Sequence, residues 1–177
     1  MKRASLQIHA TNPLELACTG SVLWRLPLEP WLVLPARIKY NGHELTRKAE
    51  FHITVLGRAL TARYLLSADL TERWFQSWAS LDHRLTVTDE LWLLRKSEQD
   101  STDHSLVTDC LAPALHEARR LLGLWVKEAL PPAVAHITLY TEINPMGISL
   151  ADDQALRERR VASGPWSTFG LSYPVSE

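Results

Sequence analysis

The chain has 177 residues, with 19 Lys and Arg against 20 Asp and Glu, and therefore a net charge of -1. This balance excludes a histone-like or polybasic protein, because neutralising the phosphates of a long nucleic-acid duplex takes many clustered cations. A hydrophobic content of 46% and a charged content of 22% predict one folded domain over residues 1–177 rather than a disordered chain.

The cysteine content and the N-terminal residues predict where the protein is found. Cys18 and Cys110 form no CxxC pair and are too few for a disulfide framework. Lys2 and Arg3 are not followed by the apolar run of a signal peptide, and no stretch approaches the roughly 20 apolar residues of a membrane span. We therefore expect a cytoplasmic protein with reduced thiols and no membrane contact, and a monomer is compatible with these features.

The first part of the chain predicts short strands. Residues 21–34 contain two apolar runs interrupted by prolines, which predicts two strands. Arg37–Tyr40 extends the second of them, and the following Asn41-Gly42 pair is typical of a hairpin turn. Phe51–Leu56 is rich in β-branched residues and predicts another strand.

Two amphipathic helices follow, and their caps and apolar faces define them. Asp69 predicts the start of the first helix, and Asp109 predicts the start of the second. Their apolar residues recur at helical spacing: Leu70, Trp74, Trp78 and Leu81 in the first, and Leu111, Leu115, Ala118, Leu122 and Trp125 in the second.

The remaining segments predict more strands and a third helix. The helix is expected over residues 149–160, and strands are expected over residues 84–88, 90–95, 104–108, 135–141 and 166–173. Short strands interspersed with two well-defined helices predict an α+β fold with antiparallel sheet.

One tetrapeptide occurs twice in nearly the same form. HITV at residues 52–55 and HITL at residues 136–139 begin 84 residues apart. Because side chains alternate along a strand, each copy presents an imidazole and a hydroxyl on one face and two apolar side chains on the other. If the two strands lie side by side, two imidazoles and two hydroxyls share one cleft.

This set of side chains suits the cleavage of a phosphoester. A neutral imidazole can take a proton from an attacking water or hydroxyl, while a protonated one gives a proton to the leaving oxygen. The Thr hydroxyls can donate hydrogen bonds to the non-bridging phosphate oxygens, where charge grows in the transition state. We expect no metal and no cofactor, because two His without neighbouring carboxylates or Cys make a poor zinc site.

Two other interpretations compete with catalysis. In one, the protein keeps the same fold and binds RNA or a nucleotide without turnover. In the other, the two HIT strands are a coincidence within a structural domain, and the two imidazoles lie far apart or on opposite sides of the molecule. A cleft shared by both imidazoles is expected only if the duplication has a function.

The two segments resemble the paired H-x-[T/S]-x motifs of the two-histidine (2H) phosphoesterase superfamily. That group includes RNA 2′,3′-cyclic phosphodiesterases, also described as 2′-5′ RNA ligase-like proteins. The resemblance rests on the two motif strands, and the chain length and motif spacing fit as well. It implies a bilobal α+β fold, with two antiparallel sheets and flanking helices around a central cleft to which each lobe contributes one H-x-T strand.

The resemblance also implies an activity. His52 and His136 would form the acid–base pair, and Thr54 and Thr138 would hold the phosphate of a small nucleotide or an RNA end. The implied reaction is the metal-independent hydrolysis of a 2′,3′-cyclic phosphate or a related phosphoester, with ligation as its reverse. Either imidazole can be the base, since the leaving ribose oxygen decides where the acid must stand.

Two further side chains are candidates for substrate binding. Tyr140 follows Thr138 by two residues, so it is expected on the same face as His136, where its ring or hydroxyl can meet the substrate. The alternative is an exposed ring. Arg58, just past Gly57, can reach a phosphate, and its alternative is a solvated loop charge.

Other polar and aromatic residues are interpreted more simply. Asp100, Asp103 and His104 could bind a cation, but such a segment is typical of a solvated hairpin loop. The seven Trp are all favoured as core residues. Trp74, Trp78 and Trp125 lie on helix faces, and Trp24, Trp31, Trp92 and Trp166 are the four that could otherwise stack on a nucleobase.

Overall fold

A computed structural model describes residues 5–29 and 31–174. The strands are β1 (Leu6–His9), β2 (Leu14–Leu16), β3 (Val22–Leu26), β4 (Arg37–Tyr40), β5 (His43–Arg47), β6 (Phe51–Leu56), β7 (Arg84–Glu98), β8 (Ser101–Leu111), β9 (His136–Thr141) and β10 (Arg160–Pro165). The α-helices are α1 (Arg58–Tyr64), α2 (Ala68–Trp78), α3 (Pro113–Val126) and α4 (Asp153–Arg159). The predicted α+β class is confirmed.

The strands form two antiparallel sheets. The larger sheet has seven strands in the order β1-β7-β8-β9-β5-β4, with β10 also paired to β7. The smaller sheet has the order β2-β3-β6. The second HIT segment therefore lies inside the larger sheet, the first lies at an edge of the smaller one, and β6 approaches β9 where the two sheets meet.

Apolar side chains fill both faces of the larger sheet near its middle. Leu91 and Leu93 of β7 belong to the main core, which also holds Trp24, Val55 and Ile137. The intervening residues of β7 face the other way, into a smaller cluster of Trp92, Leu94, Val107, Ile148 and Leu150. A strand that is buried on both faces loses the simple alternation of apolar and polar residues.

The predicted hairpin between β4 and β5 is confirmed. Asn41 has φ of 48° and Gly42 has φ of 85°, and two successive left-handed residues give the two-residue turn that matches strand twist. The segments predicted as two strands over residues 84–95 form one strand, β7. Its pairing with β8 shifts register between Val87 and Leu91, which explains why two runs appear in the sequence.

The predicted second strand within residues 27–34 is wrong. No strand forms among the described residues of this segment, although Leu28, Leu32 and Leu34 are buried. The Leu32 N–H donates instead to the Leu28 carbonyl, as in a helical turn. Proline has no N–H to donate to the hydrogen bonds of a sheet. The apolar residues of this segment therefore pack into the core without pairing as a strand.

Two predicted helix starts are also corrected. α2 begins after Ser67, whose hydroxyl accepts a hydrogen bond from the Leu70 N–H, so Asp69 lies inside the first turn. Asp109 does not cap a helix: it belongs to β8, and α3 begins at Pro113. Strand pairing with β7 and β9 carries β8 through Asp109, and local capping preference does not override it.

The C-terminal part contains a shorter helix than predicted. The carboxylate of Asp152 accepts from the Ala155 N–H and caps α4, and the chain then enters β10. The strand predicted over residues 166–173 is wrong, because Trp166–Phe169 form a 3-10 turn that buries both aromatic rings. Within the described ranges, no helix has the length and apolar character needed to cross a bilayer.

Candidate active site between the two HIT strands

The first HIT segment shows the predicted alternation. Ile53 and Val55 of β6 are buried, whereas His52 and Thr54 between them are half-buried. The apolar pair anchors the strand in the main core. The imidazole and the hydroxyl therefore project from the opposite face of a fixed strand.

The second HIT segment is more deeply enclosed. Ile137 and Leu139 of β9 are fully buried in the main core, Thr138 is half-buried, and His136 is only 9% exposed. β9 lies between β8 and β5 in the larger sheet, but its motif residues pair with β8 alone, since β5 pairs only with Tyr140 and Thr141. The pairing with β8 fixes the backbone from which the His136 and Thr138 side chains project.

Both segments meet at one cavity of about 500 Å³. His52, Thr54, His136 and Thr138 all line it, together with Arg58. The imidazoles are close enough for the charge of His136 to lower the pKa of His52. The structure thus brings together five of the six predicted site residues.

His52 is a neutral imidazole at neutral pH. Burial lowers its pKa to about 4, and the positive charges of Lys48 and Arg25 act in the same direction. Arg25 lies directly opposite His52 on β3 and pairs with Glu15 and Glu50. A neutral ring with a free lone pair can accept a proton.

His136 has a fixed tautomer. Its Nδ1 lies 2.9 Å from the Val134 carbonyl oxygen, and because a carbonyl only accepts, Nδ1 carries the hydrogen. Nε2 is then the nitrogen free to exchange a proton with a substrate. Burial lowers the pKa of His136, while the hydrogen bond to Val134 acts in the opposite direction.

The loop before α4 forms another wall of the cavity. Residues 146–151 line it, and the Ile148 N–H donates to the Ser105 hydroxyl. Gly147 has φ of +79°, and a Cβ at this position would lie 3.0 Å from Cγ2 of Thr138. A side chain at this position would therefore strain the backbone and press on Thr138, and glycine avoids both.

Arg58 is the first residue of α1 rather than a loop residue. Its side chain is exposed at the rim of the cavity and forms no ion pair with another residue in the described ranges. The aliphatic part of its side chain lies against Gly20, and a Cβ added at Gly20 would lie 3.3 Å from Cγ of Arg58. Its cationic head is available to an anion.

Tyr140 does not lie on the cavity, which corrects its expected position beside His136. The ring is fully buried in the main core, and its hydroxyl donates to the Pro35 carbonyl 3.0 Å away. The cause is a bulge in β9: Leu106 pairs with Tyr140, whereas the next residue of β8, Val107, pairs with Thr138. The extra residue turns Tyr140 to the opposite face.

Arg119 is a cavity residue that the sequence did not indicate. It lies on the buried side of α3, 7% exposed, and donates to the carbonyls of Val55 and Pro131. Among the described residues it has no carboxylate partner. A buried guanidinium satisfied only by carbonyls keeps its positive charge uncompensated next to the cavity. The sequence offers one signal for this residue, an arginine among the apolar residues of an amphipathic helix.

Among the residues that the structure describes, no Trp lines the cavity, so base stacking on Trp has no support there. Four of the indole rings are nearly or fully buried and donate their N–H to backbone carbonyls: Trp24, Trp74, Trp78 and Trp166. Trp92 is 7% exposed and belongs to the smaller cluster, and Trp125 is partly buried. Trp31, predicted in the core, is 47% exposed.

Comparisons with known proteins assign no family to the chain. No family model, no curated protein and no solved structure matches it.

Proposed function

We propose that this protein is a metal-independent phosphodiesterase that opens a 2′,3′-cyclic phosphate on a small nucleotide or an RNA end. The observation that carries the proposal is the convergence of both imidazoles and both Thr hydroxyls on one cavity. Coincidental strands give no reason for these four groups to meet. The two sheets would then act as two lobes, each contributing one H-x-T strand to a central cleft.

His52 is assigned as the base. Its neutral ring takes a proton from a water molecule as the water oxygen attacks phosphorus. Burial and the nearby charges of Lys48 and Arg25 keep the ring unprotonated before the reaction. The negative charge of the bound phosphate then raises the proton affinity of the ring, because an opposite charge favours the protonated form.

His136 is assigned as the acid. The hydrogen bond from its Nδ1–H to Val134 orients the ring and stabilises its protonated form. With a phosphate bound, Nε2 carries the proton and gives it to the ribose oxygen as the bond from that oxygen to phosphorus breaks. The product is a nucleoside 2′- or 3′-phosphate in which the ribose oxygen that left phosphorus is a free hydroxyl.

Three further groups suit the phosphate oxygens. The hydroxyls of Thr54 and Thr138 can donate hydrogen bonds to the non-bridging oxygens, where charge develops. The exposed head of Arg58 can meet the phosphate from the rim, as expected from the sequence. Arg119 adds positive potential from the buried side without needing direct contact.

The experiment is ring opening of nucleoside 2′,3′-cyclic phosphates and of RNA with a cyclic end, followed in EDTA. We expect turnover by the wild type, and at least about 10²-fold less by His136→Ala. His116→Ala, which removes an exposed imidazole of α3 outside this cavity, should retain wild-type turnover. Undiminished turnover in His136→Ala would overturn the proposal.

The alternative function is binding of RNA or a nucleotide without turnover. Its signature is saturable binding of a nucleoside 2′- or 3′-monophosphate with no ring opening of any cyclic substrate. Binding measured by calorimetry on the same preparations separates it from the phosphodiesterase, which both binds the product and forms it.

A further inference from the structure

A second cluster of titratable side chains lies away from the cavity. His43 at the start of β5, His104 on β8 and Glu142 just after β9 come together although they are far apart in the sequence. Nδ1 of His43 lies 2.9 Å from one carboxylate oxygen of Glu142, and Nδ1 of His104 lies 2.6 Å from the other. None of the three lines the cavity of the HIT strands.

Strand register explains why the three side chains meet. Ser105 pairs with Thr141, so the next pair along these strands is His104 and Glu142, and the Glu142 N–H donates to the His104 carbonyl. Neighbouring residues of a strand face opposite sides. Ser105 faces the loop that covers Thr138, and His104 therefore lies on the other side of the sheet.

We propose that His43, His104 and Glu142 form a binding site for a divalent transition metal ion, and specifically for Zn²⁺. Two imidazoles and one carboxylate are a ligand set that zinc uses in proteins, with a fourth position left for water. One ligand atom from each residue lies within 4.8 Å of the others. Tetrahedral bonds of the usual length separate ligand atoms by about 3.3 Å, so small side-chain movements complete the geometry.

The surroundings favour a fixed and accessible site. The His104 side chain is 6% exposed and Glu142 is 21% exposed, whereas His43 is 38% exposed and gives an ion access from solvent. The carboxylate of Asp103 accepts from the N–H groups of Ile143 and Asn144, which holds the chain that follows Glu142. Preorganised ligands lose little freedom when the ion binds.

The position of the site indicates what bound zinc would do. Within the described residues, the β4–β5 hairpin pairs with β9 along a short stretch: Thr46 pairs with Thr141, Arg47 pairs with Tyr140, and the Lys48 N–H donates to the Leu139 carbonyl. A metal bound by residues of β5, β8 and the end of β9 would hold this hairpin to the sheet. Bound zinc would therefore act on the position of this hairpin, separately from the metal-independent chemistry proposed for His52 and His136.

The experiment titrates Zn²⁺ alone into the full chain after chelator treatment, against a chromogenic competitor. We expect one zinc per chain and a higher Tm, with the affinity lowered at least about ten-fold by His104→Gln, since losing even an outer-shell partner costs that much. His43→Gln, at the more exposed position, gives the same test with less risk to folding. Co²⁺ should give the visible spectrum of a tetrahedral ion, and lose it in either variant.

Two controls decide where the ion binds. His116→Gln should bind zinc as the wild type does, and so should the double variant His52→Ala with His136→Ala, which removes the other pair of imidazoles. Zinc binding that persists in His43→Gln and His104→Gln, or that disappears in the double variant, overturns the proposal. Absence of stoichiometric binding to the wild type also overturns it.

Discussion

The two HIT segments carry the same side chains in different surroundings. His52 is half-buried at the edge of the smaller sheet, where burial and two cations lower its pKa to about 4. His136 lies inside the larger sheet, where burial lowers its pKa and the Val134 carbonyl acts against that shift. The duplication therefore repeats the imidazole and the hydroxyl but not their neighbours. Under the proposed function, these neighbours, rather than the repeat itself, assign His52 as the base and His136 as the acid.

The largest expected effects come from removing either imidazole. His52→Ala and His136→Ala should each lower kcat on a 2′,3′-cyclic phosphate by about 10²–10⁴-fold. A 2′-deoxynucleoside 3′-(p-nitrophenyl phosphate) separates the two roles, because water is its only nucleophile in the absence of a 2′-OH and p-nitrophenolate leaves without a proton. On this substrate His136→Ala should recover most of its activity, whereas His52→Ala should not. Equal losses by both variants on both substrates would contradict the assignment.

The two hydroxyls test whether both strands hold the phosphate in the transition state. Thr54→Val and Thr138→Val should each lower kcat by about 10²-fold, since each removes one donor to a charged oxygen. Thr46→Val, at an exposed position of β5, is the matched control and should not change kcat. Steady-state kinetics measure kcat and KM separately. A rise in KM with unchanged kcat would show that the hydroxyls bind the substrate equally well in the ground state and in the transition state.

The acid stability of the chain tests the environment of His52. Its folded pKa of about 4 is below the 6.5 of an unperturbed His, so between these values the unfolded chain binds the proton more readily. The neutral ring of His52 therefore makes its full contribution to the free energy of unfolding above pH 6.5, and this contribution is lost as the pH falls towards 4.

Urea unfolding at pH 7.5 and pH 4.5 measures this effect. His52→Gln should reduce the loss of unfolding free energy on acidification by about 2 kcal/mol relative to the wild type. His116→Gln, at an exposed site, should leave the loss unchanged. An identical pH dependence in the wild type and His52→Gln would show that the ring is not held neutral by its surroundings.

Two glycines provide the smallest and most local test. Gly147 and Gly42 have similar positive φ values, but only at Gly147 would a Cβ meet Thr138, at 3.0 Å, whereas nothing lies within 4 Å of one at Gly42. Gly42→Ala should lose about 1 kcal/mol of stability from backbone strain alone, and Gly147→Ala should lose more because the contact with Thr138 adds to that strain. Gly147→Ala alone should also lower kcat, on the order of ten-fold, because it displaces Thr138, to which the proposed function assigns phosphate binding. Equal activities of the two variants would exclude this role of the loop.

Local sequence patterns predicted the core of the site. The alternation in Phe51–Leu56 is confirmed, and in the second motif it holds from His136 to Leu139 and ends at the bulge before Tyr140, because each segment has one apolar face that the core requires. The hairpin at Asn41 and Gly42 is confirmed for a similar reason, since its backbone conformation depends on the two residues themselves.

Features set by pairing between distant strands could not be predicted in the same way. Tyr140 faces the core because of a bulge between β8 and β9, and no residue near it in the sequence specifies that bulge. The sequence predicts His104 both as the start of a strand and as the end of a solvated loop, but only the register of β8 on β9 places it against Glu142. The guanidinium of Arg119 reaches the cavity only through the packing of α3 on β6.

The central claim is that one phosphate lies between both imidazoles. Its most direct test is an NMR titration of the imidazole nitrogens with a nucleoside 2′- or 3′-monophosphate in EDTA, with His52 and His136 assigned from their Ala variants. We predict that both rings shift along one saturation curve and that both pKa values rise when the ligand binds. Shifts confined to one ring, or two curves with different Kd values, would contradict a shared phosphate site.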